Sequence, residues 1–324
     1  MTETTIDIRD ASDIDYPAYA DFQKRAYRDL LARRGASDAH MTPEFYRWKY
    51  NPPAGAARIA QIVDGEKTLS SSAMLPLWLS FDGRSHVGWH CLDVGTVPEA
   101  RGRGYFLTTL RSLMESVPPR DLFFAFPNEA SIVSFLRLGC MENVILTTWV
   151  DPFIRFFGRE QDGVERIDRF GPEHDAIRDQ LGTDRPRVDR RADYLNWRYS
   201  AHPINSYVSF ASTNDGCDGL CVVRRAHVMG RDLALVMEVS GSTPRVQTAL
   251  LSHAAAWARS EGLGMMSLMS TDLPLPTAVR TLLAPVPSML LPKRQVLVVH
   301  GEKDLPAPLL TTSWALSTGD WDVF

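Results

Sequence analysis

The 324-residue sequence predicts an α/β protein of two domains, residues 1–152 and 153–324. Three observations predict it. Apolar segments of helical period and of strand length alternate along the chain. The length accommodates two domains of ordinary size. The stretch Trp48-Lys-Tyr-Asn-Pro-Pro is echoed by Trp197-Arg-Tyr-Ser-Ala-His-Pro, as a duplicated unit would be, with the join near residues 151–165.

The elements follow in order. Tyr19, Phe22, Ala26 and Leu30 recur at helical spacing until Gly35 stops them. Residues 59–63, 72–81 and 87–97 read as strands, joined through the hairpin turns Asp64-Gly65 and Asp82-Gly83. Phe106, Leu107, Leu110, Leu113, Met114 and Val117 mark one helical face, which Pro118-Pro119 ends. Residues 122–126 form a short apolar strand, and residues 129–138 a helix closed by Gly139. In the second half, residues 220–223, 233–240 and 265–269 read as strands. Val246, Leu250, His253 and Trp257 share a helical face before Gly262.

Composition narrows the function. Net charge is −4 and Lys and Arg are scattered, so the sequence offers no basic footprint for nucleic acid or an anionic membrane surface. The polar, acidic start lacks the pattern of a secretory leader, and no apolar run reaches membrane-spanning length, which predicts a cytoplasmic protein. Four cysteines are too few and too scattered for a disulfide framework. Cys217 and Cys221, with no His pair nearby, do not make a zinc site, so no metal is expected.

The segment Val97-Pro-Glu-Ala-Arg-Gly-Arg-Gly-Tyr-Phe joins a strand to a helix with little side chain in the turn. Consecutive amides at a helix N-terminus, with no Cβ to keep a ligand away, suit a phosphate. Arg101 and Arg103 add charged donors beside it. A P-loop is excluded because no Lys-Ser or Lys-Thr follows the glycines, and the dinucleotide fingerprint fails at Leu107, where it needs glycine. Alone, the segment fits equally a tight turn with two solvated arginines.

The loop resembles the pyrophosphate loop of the GNAT superfamily (Gcn5-related N-acetyltransferases), [Arg/Gln]-x-x-Gly-x-[Gly/Ala]. Residues 101–106 fill that pattern, with Phe106 in place of the final small residue. A second block decides for the cradle: Phe124-Ala-Phe-Pro-Asn-Glu-Ala-Ser, followed by Phe135-Leu-Arg-Leu-Gly, is similar to the later GNAT motif in which a strand ends at Asn and a helix runs into Tyr-x-x-Leu-Gly. The Trp-Arg-Tyr repeat and the closing Gly319-Asp-Trp-Asp resemble the tandem-GNAT branch that includes enhanced-intracellular-survival-type acetyltransferases.

The resemblance implies a tandem GNAT fold: a mixed, mostly antiparallel sheet flanked by helices, repeated in a degenerate second domain. It implies acetyl-CoA or another acyl-CoA as co-substrate, its diphosphate on the amides of Arg101, Gly102, Arg103, Gly104, Tyr105 and Phe106. Its pantetheine arm would run along Thr96 and Val97, with Asn128 and Ser131 near the thiol end. The acceptor is expected to be the amine of a small molecule, attacked directly in a ternary complex. Self-association into a homo-oligomer is left open.

Direct attack needs a base. His90 and Asp93 stand on the strand before the loop, and strand alternation puts them on opposite faces unless a bulge intervenes. In the enhanced-intracellular-survival relatives a C-terminal carboxylate is the base, which makes Phe324 a third candidate by resemblance. The tyrosine that serves many relatives as acid is Phe135 here. That substitution keeps a catalytically silent acyl-CoA-binding protein as an alternative. An aminoacyl-tRNA-dependent transferase is another, though it predicts a basic channel that the sequence lacks. Trp48, Tyr50, Trp197 and Tyr199 are expected to pack a domain interface, and Glu238 to lie exposed at a strand edge. The loop at residues 240–245 lacks the Arg-x-x-Gly spacing, so the second domain is expected to bind no CoA and to shape the acceptor site.

Overall fold

The computed structural model describes residues 5–152, 154, 158–180, 184–213, 217–228, 230–271, 283–287, 295–302 and 305–321. Its fifteen strands in chain order are β1 (Thr5–Asp10), β2 (Arg58–Asp64), β3 (Lys67–Phe81), β4 (Arg84–Thr96), β5 (Leu122–Ala125), β6 (Met141–Ile145), β7 (Thr147–Asp151), β8 (Val164–Ile167), β9 (Arg187–Val188), β10 (Val208–Ser212), β11 (Gly219–Val228), β12 (Arg231–Gly241), β13 (Met266–Ser270), β14 (Ala284–Pro285) and β15 (Val296–His300). The helices that matter for the site are α1 (Tyr16–Arg34), α2 (Pro43–Lys49), α3 (Tyr105–Glu115), α4 (Ile132–Arg137) and α5 (Pro244–Ser260).

Two sheets share one plan. The first runs β1-β2-β3-β4-β5-β15-β6, with β9 added to β3, and the second runs β14-β7-β13-β12-β11-β10-β8. Within each, among the described residues, the parallel pair is the one bridged by a helix: β4 with β5 across α3, and β12 with β13 across α5. Each sheet also takes a strand from the far part of the chain, β15 between β5 and β6, and β7 between β13 and β14. A cut between residues 152 and 153 therefore does not separate the sheets, because β7 lies before it in the second sheet while β9 and β15 lie after it in the first.

Local chemistry sets the element ends. The Asp82-Gly83 turn closes the β3–β4 hairpin with φ of 51° and 67°, the left-handed pair such a turn requires. Prolines stand at the first turns of α1, α2 and α5, and each helix closes that turn with a side chain: Asp15 on the Ala18 amide, Thr42 on Phe45, Thr243 on Val246. α3 has no such cap; its N-cap is Gly104 at φ 77°.

An apolar cluster running from Tyr19, Phe22 and Tyr46 through Leu75 and Leu79 to Val222, Met237 and Trp314 joins the two sheets. A second cluster lies under α3, with Leu110 and Leu113 against Met74, Trp89 and Phe123, and a third lies under α5. None of the described helices is long and apolar enough to cross a membrane.

Candidate functional site

The candidate site lies where β4 and β5 part. Their parallel pairing runs from Gly88/Leu122 to Cys91/Ala125 and then stops, while β4 continues against β3 as far as Thr96. The chain leaves β5 through Pro127 and Asn128, so residues 92–96 have no strand neighbour on that side. A cleft of about 510 Å³ opens there, between α1 (Tyr27, Leu30, Arg33), residues 94–96 of β4 and the turn 128–131.

The start of α3 faces this cleft. Among the described residues, no acceptor takes the N–H groups of Gly102, Arg103, Gly104, Tyr105 or Phe106. Gly102 and Gly104 both have positive φ, 80° and 77°, and a Cβ built on either meets no atom within 4 Å. Bare donors, open space and the positive end of an 11-residue helix coincide. That combination fits a diphosphate.

The two arginines differ in role. Arg101 is tied back: its guanidinium reaches Asp29 at 2.7 Å, the Ala26 carbonyl at 3.1 Å and the Thr96 carbonyl at 3.3 Å, and its own amide donates to the Pro98 carbonyl at 3.3 Å. The hydrogen bond from Arg101 holds the Asp29 carboxyl below its usual range. The open amides therefore begin at Gly102, one residue later than the sequence expectation. Arg103 is exposed, and none of its hydrogen bonds or ion pairs falls among the described residues. Thr96 is part of the β3–β4 ladder and shares a hydroxyl contact of 2.9 Å with Ser70, while Val97 is buried and donates to the Leu69 carbonyl.

Deeper in, a chamber of about 130 Å³ adjoins the cleft, and both His90 and Asp93 line it. A bulge in β4 brings them together: Ala73 faces Leu92 and Ser71 faces Gly95, so Ser72 alone opposes Asp93 and Val94. Asp93 adopts φ 49°, the left-handed region that few residues with a side chain occupy. The His90 ring stacks on Phe124 at 4.8 Å and meets Phe126 edge-on at 5.6 Å.

Asp93 is buried and held from two sides. Lys49 Nζ lies 3.0 Å from its carboxylate and the Tyr50 hydroxyl donates to it at 2.9 Å. Tyr50 in turn shares a 2.7 Å hydrogen bond with Tyr19, to which Gln23 donates. Burial, then the nearby Asp93 charge, pushes both tyrosine hydroxyls well above their ordinary range. Gln23 also reaches the Asp93 carbonyl at 3.4 Å, and the Tyr27 hydroxyl takes the Val94 carbonyl at 2.9 Å. This scaffold has no motif of its own in the sequence, although the Trp-Lys-Tyr stretch supplies two of its members. A lysine directly before a buried tyrosine was the available signal.

Across the cleft, Asn128 and Ser131 lock one turn: the Asn128 side chain accepts from the Ala130 and Ser131 amides at 3.0 Å, and Ser131 Oγ accepts from the Asn128 amide. Phe135 is buried against Phe106 and Phe123 and lines the chamber, as does Trp321. Phe324 lies outside the described residues. Among those described, no group of three or more His, Cys, Asp or Glu could hold a metal ion, and all four cysteines are free. Burial pushes the Cys140 thiol up to about 12.

The second sheet has a cavity of about 350 Å³ at the corresponding split between β12 and β13, but not the cradle. Thr243 caps the first turn of α5, the Ser242 amide is bound to the Asp218 carbonyl, and a Cβ on Gly241 would meet Val246 at 2.9 Å. The amides at this helix start are thus engaged where those of residues 102–106 are not. Glu238 lines this cavity and is 2% exposed rather than lying at an open edge. Tyr199 donates to it at 2.7 Å, Ser317 at 2.8 Å, and Arg190 pairs with it at 3.0 Å. These donors compensate a charge that the sequence pattern alone suggested would need water. Trp48 and Trp197 stack against each other at 5.2 Å, where the two repeats meet.

No protein-family model matches the sequence, and no curated protein matches it. Solved structures do resemble it. A tandem GNAT protein from the clavulanic acid biosynthesis pathway aligns with a TM-score of 0.59 at 15% identity, over 92% of this chain and 98% of that one. A GCN5-related N-acetyltransferase from Anabaena variabilis gives 0.62 at 12%, over 91% and 72%, and Eis1 from Mycobacterium abscessus 0.55 at 13%, over 91% and 73%. Two sheets of one plan, each split beside its crossover helix, together with these likenesses identify the chain's architecture as the tandem GNAT fold.

Proposed function

We propose that the protein is an acyl-CoA-dependent N-acyltransferase that moves an acetyl group from acetyl-CoA to the amine of a small molecule by direct attack in a ternary complex. One observation carries the reading: the amides of residues 102–106, without acceptors among the described residues, lie between Arg101 and Phe106, which line a cleft whose inner end is the chamber holding His90. The N–H groups of Gly102 to Phe106 bind the diphosphate and Arg103 adds charge beside it. The open edge of β4 receives the pantetheine arm, with Asn128 and Ser131 forming the opposite wall. The thioester supplies the activated carbonyl. His90, which lines the chamber, takes the proton from the attacking amine, while Asp93 is held by Lys49 and Tyr50.

Phe135 favours a second reading, an acyl-CoA-binding protein that does not turn over, since phenylalanine has no proton for the leaving thiolate. The test is a thermal-shift titration with acetyl-CoA followed by a CoA-release assay against small amines. A ligand that binds the folded state raises the melting temperature with concentration. Acetyl-CoA is expected to do so, Gly104→Val is expected to remove the shift, and an amine is expected to release CoA. A shift that survives Gly104→Val sinks the site assignment. A shift without CoA release selects the second reading.

A further inference from the structure

Both sheets split at a bulge, and at both bulges a buried carboxylate accepts a hydrogen bond from a tyrosine of the repeated stretch. In the first sheet the β4–β5 pairing ends at Cys91, and Asp93 and Val94 form the bulge two residues on. In the second, the β12–β13 pairing ends at Val236, and Met237 is the extra residue before Glu238. Tyr50 donates to Asp93 and Tyr199 donates to Glu238, the two tyrosines being equivalent in the repeated Trp-x-Tyr stretch. Each carboxylate also has a buried cation, from different places: Lys49, 3.0 Å from Asp93, belongs to the repeated stretch, whereas Arg190, 3.0 Å from Glu238, lies outside it and also pairs with Asp320 at 2.8 Å.

Replacing a buried ion pair with apolar side chains of similar volume is often neutral or stabilising, so stability alone does not call for one. A pair of this kind can instead specify a conformation. Asp93 sits at φ 49° in mid-strand, where an L-residue is disfavoured. Its side chain is held by Lys49 and Tyr50, and its carbonyl by Gln23. All three holders come from α1 or the end of α2, so the bulge is pinned to the helices and drawn away from β5.

We propose that Lys49 is a positioning residue: through its ion pair with Asp93 it fixes the β4 bulge that keeps the strand edge at residues 92–96 open to the thioester arm. This rests on the cleft being the acyl-CoA site. The diphosphate cradle lies beyond the bulge, at residues 102–106, so the two ends of the ligand are expected to respond differently to substitution.

The experiment compares acetyl-CoA with adenosine 3′-phosphate 5′-diphosphate, which carries the diphosphate but no pantetheine arm, by isothermal titration. The proteins are wild type, Lys49→Arg, Lys49→Met, and Lys49→Met combined with Asp93→Asn. The combined variant avoids leaving a lone buried charge. The expected result is a loss of at least about tenfold in acetyl-CoA affinity in the combined variant, with the nucleotide probe within about twofold of wild type and Lys49→Arg close to wild type for both. Wild-type acetyl-CoA affinity in the combined variant would overturn the positioning role, and so would its failure to fold, which would make the pair a requirement of the core. If the wild type binds neither probe, the reading of the cleft itself fails. That outcome is distinct from the loss of the thioester end alone.

Discussion

Trp48 and Trp197 stack at 5.2 Å with a 21° angle between rings, and each indole N–H donates to the other's backbone carbonyl, at 2.8 and 3.0 Å. This reciprocal contact lies where the Trp-Lys-Tyr and Trp-Arg-Tyr stretches meet, and it ties the scaffold of one split sheet to that of the other. A double-mutant cycle with Trp48→Phe and Trp197→Phe is expected to give a coupling of about 0.5–1.5 kcal/mol in denaturant unfolding. Additive effects would show that the stacking is incidental.

Arg101 and Arg103 belong to one sequence motif and serve different ends. Arg101 fastens α1 to the end of β4, so Arg101→Ala is expected to lower the melting temperature in the absence of ligand. Arg103→Ala should leave the melting temperature unchanged and weaken acetyl-CoA binding several-fold, an effect that fades as salt screens an exposed charge. Calorimetric titration of both variants at low and high ionic strength separates the two roles.

His90→Gln is expected to reduce turnover by about 10²- to 10⁴-fold, the usual contribution of a positioned base, with acetyl-CoA affinity unchanged. Single-turnover rates and equilibrium binding measured on the same preparation decide this. Unaltered turnover would remove His90 from the chemistry.

Glu238 carries a pH signature. Burial raises its pKa above the ordinary glutamate value of 4.5, and Arg190 offsets that only in part. A group whose folded pKa is raised binds its proton more tightly in the native state, so its contribution to stability is fully present below the unfolded value and lost as pH rises through the folded one. The stability of wild type relative to Glu238→Gln is therefore expected to fall as pH rises above 4.5. Urea unfolding of both proteins across that range tests the slope, and a difference independent of pH contradicts it.

Much of this molecule is legible in its sequence because the signals are local. Asp82-Gly83 can hardly do anything but turn, and two glycines ahead of the amphipathic run from Phe106 to Val117 mark an open helix start. The strand exchange was not legible, since nothing in residues 296–300 or 147–151 says which sheet they join; pairing partners far along the chain are chosen by tertiary packing. The bulge was foreseen only as a condition for bringing His90 and Asp93 together. The exposure expected of Glu238 failed for a related reason: its compensating donors, Tyr199, Arg190 and Ser317, come from three distant stretches, and a period-2 pattern carries no trace of them.

If the bare amides at the start of α3 hold a diphosphate, the ligand must change their chemical environment. Amide NMR of ¹⁵N-labelled protein titrated with acetyl-CoA tests it most directly. Large, saturating shifts are expected at Gly102, Gly104, Tyr105 and Phe106, while the amides of residues 240–243 and 245 in the second sheet stay where they are. Saturable binding that leaves the residue 102–106 amides unmoved would contradict it.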